Sequence, residues 1–133
     1  MSKSLIYTAL ETPTAVAAGG VIPLGNIVRR YGCNCNLNGS GIAINGQGYY
    51  NVDVSMEAVP DAAGTVTVQL LKDGVAVPGA SAAATVAAAA TTVTLAFPAT
   101  VRLGCCSTGS VLTLLLTGAA STVNNAAVRV EKS

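Results

Sequence analysis

From Tyr50 onward the apolar residues hold one parity, Tyr50, Val52, Val54 and Met56, while Asn51, Asp53, Ser55 and Glu57 hold the other. A period of two is that of a β-strand with one buried face. Val66, Val68 and Leu70 repeat the pattern against Thr65, Thr67 and Gln69. Between the two runs Pro60 and Gly64 supply a turn, and Asp73-Gly74 is a tight hairpin signal leading into Val75, Ala76 and Val77. Residues 48–80 therefore read as antiparallel sheet with a central hairpin.

The same reading extends to both ends. SLIYTAL is a first strand, followed by a Pro, Ala and Gly connection through Gly19-Gly20, and Pro23 and Gly25 keep the extended pieces of VIPLGNIVRRYG short. Short strands are expected around residues 33–37 and 42–44, with Asn38-Gly39 and Asn45-Gly46 as hairpin-type turns. Val93, Leu95 and Phe97 alternate with Thr92, Thr94 and Ala96, and further strands cover residues 111–117 and about 126–131, with a turn at 118–121. The alanine run 82–90 favours helix by propensity. Nine residues interrupted by Thr85 are too short for a stable helix, so an extended segment is expected.

Eight or nine short strands without a helix describe an all-β, antiparallel two-sheet jelly-roll sandwich. An immunoglobulin-like sandwich fits less well, since the chain has no Trp and its cysteines lack the spacing of an inter-sheet bridge. At 133 residues the chain holds one folding domain, with residues 1–25 as an N-terminal strand and anchoring segment and residues 26–133 as the sandwich.

Composition then bears on function. Charged residues make up 10% of the chain and aromatic residues 4%, against a hydrophobic fraction of 51% that is largely Ala and Val. Soluble domains carry about 25% charged residues. A surface so poor in charge is expected to be covered by copies of the same chain. The basic residues Lys3, Arg29, Arg30, Lys72, Arg102, Arg129 and Lys132 are scattered, which argues against nucleic acid as a partner. No run of about 18 apolar residues is present, so no membrane span is expected, and the N-terminus lacks the apolar core of a secretory signal. Folding in the producer's cytoplasm is the corresponding expectation.

Candidate chemistry is sparse. The chain has no histidine, which removes the commonest general base and the usual triads. Asp53 and Glu57 could share one strand face, but a glycoside hydrolase normally adds aromatic stacking residues and a cleft. No catalytic residue, cofactor site or metal site is assigned, and the chain is expected not to be an enzyme. Cys33, Cys35, Cys105 and Cys106 leave three readings open: buried free thiols, a bridge formed after assembly, or a four-thiolate metal site with unfavourable spacing. The glycines of residues 39–48 match no phosphate loop.

The order of a polar turn, GYYNVDV at residues 48–54, VTVQLLKDGVAVPGA, a late STGSVLTLLL strand and a short terminal strand resembles the trimeric jelly roll of the complement-component and tumour-necrosis-factor-like superfamily over about residues 27–131. The aromatic core of that superfamily is replaced here by Ala, Val and Leu. The chain also resembles small structural proteins of tailed bacteriophages and prophages of gut Firmicutes, in LIYTA near the start, the cysteine positions and the VEKS end. These resemblances imply a homotrimer on a virion, as a capsid decoration or head-fibre protein that binds the major capsid protein or another virion protein. Other readings are a carbohydrate- or receptor-binding module for host-surface glycans, using loops 38–48 and 118–125, and a bacterial surface trimer.

Overall fold

The computed structural model describes residues 4–89, 91–104 and 109–132. Among these residues the chain forms eleven strands: β1 Leu5–Leu10, β2 Thr14–Val16, β3 Asn26–Tyr31, β4 Cys35–Asn38, β5 Gly41–Ile44, β6 Gly48–Pro60, β7 Gly64–Lys72, β8 Val75–Val86, β9 Val93–Leu103, β10 Ser110–Gly118 and β11 Ser121–Lys132. One sheet runs β3-β1-β11-β6-β9, with β2 also on β11, and the other runs β4-β5-β10-β7-β8. All pairings are antiparallel. We call them the first and second sheets.

The expected parity holds. Tyr50, Val52, Val54 and Met56 of β6, Val66, Val68 and Leu70 of β7, and Leu112, Leu114 and Leu116 of β10 are buried in one core between the sheets. Leu95 and Phe97 of β9 and Val123, Ala126, Val128 and Val130 of β11 complete it. Burying each Val or Leu side chain contributes about 1.5–3 kcal/mol, so this set dominates the favourable side of folding.

The central hairpin is corrected. β6 pairs with β11 and β9, whereas β7 pairs with β10 and β8, so residues 61–63 carry the chain across from one sheet to the other. Two half-buried strands satisfy the same alternation whether they lie side by side or face each other across a core. Asn45-Gly46 likewise links the second sheet to the first and is not a hairpin turn. True hairpins form at Asn38-Gly39, where Asn38 opposes Gly41, and at Asp73-Gly74, where Lys72 opposes Val75. Asp73 and Gly74 have φ of 53° and 83°, as a primed two-residue turn requires.

The segment expected to anchor the chain from outside the sandwich contributes to both sheets. β1 lies between β3 and β11, and Ile6, Leu10, Val16, Ile22 and Leu24 are in the core. Gly19 N donates to Leu116 O at 2.7 Å and Ile22 N to Leu114 O at 2.9 Å, extending the second sheet beside β10. The described part of residues 1–25 is thus packed against both sheets. The alanine run is extended, as β8, as far as Val86. The strand expected to start near residue 126 begins at Ser121, so the 118–121 turn is shortened.

Two features make the packing testable. Gly118 has φ +90°, and a Cβ there would stand 1.9 Å from Thr65 O. Gly118→Ala is expected to cost about 2 kcal/mol or more in urea unfolding, whereas Gly79→Ala, also at positive φ but in open space, is expected to cost about 1 kcal/mol. Thr8 is fully buried and its Oγ1 has no hydrogen-bond partner among the described residues. Thr8→Val is expected to raise the unfolding free energy by about 1 kcal/mol in the same measurement.

Candidate interaction surfaces

On the outward face of the first sheet the register aligns side chains in transverse rows. Arg29, Tyr7, Arg129, Asp53 and Pro98 form one row across all five strands. Arg129 donates to Asp53 in an ion pair that is about half exposed, a geometry of modest net worth. Glu57 lies two pleat repeats further along β6, opposite Asn125 and Thr94. Asp53 and Glu57 are thus on one face, but Asp53 is held by a cation and neither borders an enclosed cleft. Arg29 and Arg30 point to opposite sides of β3: Arg29 stands beside Tyr7, and Arg30 Nε donates to Cys35 O at 2.8 Å.

The second sheet differs in charge. Its strands carry one ionisable charged side chain, Lys72, while those of the first sheet carry Arg29, Arg30, Asp53, Glu57, Arg102, Arg129, Glu131 and Lys132. Its outward residues include Val111, Thr113, Leu115 and Thr117 of β10, Thr65, Thr67, Gln69 and Leu71 of β7, and Ser81, Ala83 and Thr85 of β8. A broad neutral sheet face is suited to being covered by another protein surface.

One end of the sandwich is tied by polar contacts that bring distant residues together. Ser4 Oγ donates to Asn34 Oδ1 at 2.8 Å, Asn34 Nδ2 donates to Asn45 O at 2.7 Å, and the Tyr50 hydroxyl contacts Asn45 O and Gly46 O. Within loop 38–48 the Asn45 and Gly46 carbonyls are thus occupied by Asn34 and Tyr50. Cys35 is buried under this cap and Cys33 is exposed. Burial pushes the Cys35 thiol up to about 11, with Arg30 and Lys132 opposing that shift. Burial also raises the Tyr50 hydroxyl, and Cys35 adds to the effect. Cys105 and Cys106 lie outside the described residues, and no group of three metal-ligating acidic or cysteine side chains occurs among the described ones.

A groove of about 470 Å³ opens where β8 and β9, edge strands of the two sheets, face each other. Residues 75–78 form one wall and residues 100–102 the other, with Lys72 and Asp73 at the mouth. Lys72 Nζ donates to Arg102 O at 2.7 Å, which bridges the sheets there. Gln69 Nε2 donates to Val77 O and Ala80 O, both at 3.1 Å, and so ties the β8 bulge to β7. No sequence motif marks this groove, because its walls come from strands in different sheets. The Asp73 carboxyl is held below its ordinary value by Val111 N–H, then by Ser110, and the Val111 bond is 2.9 Å.

This strand order and register can be matched to solved structures. Murine APRIL superposes with a TM-score of 0.76 at 11% identity, covering 99% of this chain and 100% of that one. The fold is the jelly roll of the tumour-necrosis-factor and C1q-like proteins. The globular domain of zebrafish complement 1qA shares this jelly roll with a TM-score of 0.72 at 8% identity, over 95% of this chain and 94% of that one. The PRD1 vertex protein P5, from a phage, matches with a TM-score of 0.61 at 15% identity, over 98% of this chain and 96% of that one. No family profile and no curated protein sequence matches the chain. At these identities the jelly-roll likeness establishes the fold.

The buried thiol gives a readout of the tied end of the jelly roll. At pH 8, iodoacetamide followed by peptide mapping is expected to label Cys33 and to leave Cys35 unlabelled until denaturant is added. Because the folded thiol holds its proton above its ordinary value of 9.0, the native state binds more protons than the unfolded state between about pH 9 and 11. Stability is therefore expected to be level up to about pH 9 and to fall from there to about pH 11, and Cys35→Val is expected to remove the lower part of that fall.

Proposed function

We propose that the chain is a non-enzymatic structural protein of a tailed-bacteriophage virion, a homotrimeric capsid decoration or head-fibre protein that binds and stabilises the capsid lattice. The observation that carries this reading is a jelly roll, similar to a phage vertex protein, whose second sheet bears a single charged side chain. Such a surface gains free energy when covered, at about 25 cal/mol per Å² of apolar area. Packing about a three-fold axis covers part of it in the trimer, and contact with the lattice covers more.

The absence of histidine and the pairing of Asp53 with Arg129 support a role without chemistry. Stabilisation follows from linkage: a protein that binds the assembled shell and not its free subunits shifts the equilibrium toward the shell. The major capsid protein is the proposed partner, and the virion the proposed location.

Sedimentation equilibrium at micromolar concentration is expected to give three times the chain mass of 13.1 kDa. A stable monomer under those conditions would contradict the proposal.

A further inference from the structure

Registers across the first sheet place its charged residues at heights along β6, and the cations all fall on one side of Glu57. Arg102 opposes Tyr49, Lys132 opposes Tyr50, and Arg129 opposes Asp53. Arg29 and Arg30 reach the same level through Tyr7 and Ile6, which oppose Arg129 and Val130. Lys72 joins them through its bond to Arg102 O. Six cations thus stand in the half of the sandwich where β6 begins, Arg29 and Arg129 near mid-strand at the level of Asp53, with three anions, Asp53, Asp73 and Glu131, among them.

The opposite end holds Glu57 in β6, Asp61 just after it, and Glu11 just after Leu10, whose partner Ala126 opposes Met56. No Lys or Arg stands there among the described residues. Among the described residues a net basic half therefore faces an end that carries only carboxylates. Two large exposed aromatic side chains, Tyr31 at 67% and Tyr49 at 55%, lie on the basic end.

We propose that the basic, tyrosine-bearing end is the docking end of the protein and that its partner is an acidic patch on another protein of the particle. The proposal rests on the assembly reading and adds an orientation to it. Complementary charge steers encounter and fixes register, and Tyr and Arg are the residues enriched in the centres of protein interfaces. The three carboxylates interspersed with the cations favour a protein surface of mixed detail over a nucleic acid backbone, which takes an unbroken basic face. The acidic end is left facing away from the partner.

The test uses immobilised poly-L-glutamate as the probe, with the full-length protein, at low and high salt (about 0.05 and 0.3 M). The wild type is expected to bind at low salt and to weaken about tenfold or more at high salt. Arg102→Glu with Lys132→Glu is expected to weaken low-salt binding about tenfold or more, whereas Glu57→Lys with Asp61→Lys is expected to leave it within about twofold. Hydroxyl-radical footprinting of the bound protein is expected to protect Tyr31 and Tyr49. If the double reversal fails to fold, Arg102→Gln and Lys132→Gln are expected to show the same direction singly. Equal effects from both ends, tighter binding to a duplex DNA of about 30 base pairs, or salt-sensitive head-to-tail growth of the protein alone would each overturn the proposal. A trimer that ignores poly-L-glutamate sinks only this inference, and a monomer that binds it sinks only the assembly reading.

Discussion

Burial of one parity of each long strand between two facing sheets is the constraint on which the rest of the molecule depends. The inward set of β6, from Tyr50 to Met56, meets Val66, Val68 and Leu70 of β7 and the leucines of β10 in a core with one Phe and no Trp. Sheets that face each other stand about 10 Å apart, so small aliphatic side chains must interdigitate closely to fill the space. A slip of one residue would turn every inward side chain outward, which is why registers as long as β6 with β11 are so firmly set. Those registers in turn decide which polar residues become neighbours on the outside, including the row from Arg29 to Pro98.

Parity was legible in the chain, and with it the all-β class and the solvent side of Asn51, Asp53, Ser55 and Glu57. Strand partnership was not. Pro60 and Gly64 read equally well as a hairpin or as a crossing between sheets, since either arrangement buries the same side of β6 and β7. The N-terminal segment looked detachable because Pro13, Pro23 and paired glycines punctuate it. Its isolated apolar residues, Ile22 and Leu24, are buried nonetheless, and its backbone completes the edge of β10. Nothing local signals the groove between β8 and β9, whose walls are separated by more than twenty positions in the chain, nor the unpartnered hydroxyl of Thr8.

The scarcity of charge becomes more informative once each charge has a position. Eight charged side chains belong to strands of the first sheet and one to those of the second, so the two faces of the sandwich meet their surroundings on different terms. Along the strand direction, the described cations gather in the half where β6 begins, and Glu57, Asp61 and Glu11 stand without a cation toward its end. Scattering in sequence is compatible with clustering in space because antiparallel strands return distant residues to the same height. Asp53, Asp73 and Glu131, interspersed among the cations, break the continuous basic face that a nucleic-acid backbone requires. A jelly roll with a neutral sheet face and an uneven distribution of charge along its strands is the framework on which the proposed assembly role rests.

Gradient-purified particles from the producing host, imaged by cryo-electron microscopy and checked by mass spectrometry, test the central claim most directly. The proposed role predicts that the chain co-purifies with the shell and forms three-fold density at regular lattice sites. A chain absent from the particles and recovered free in the lysate would contradict it.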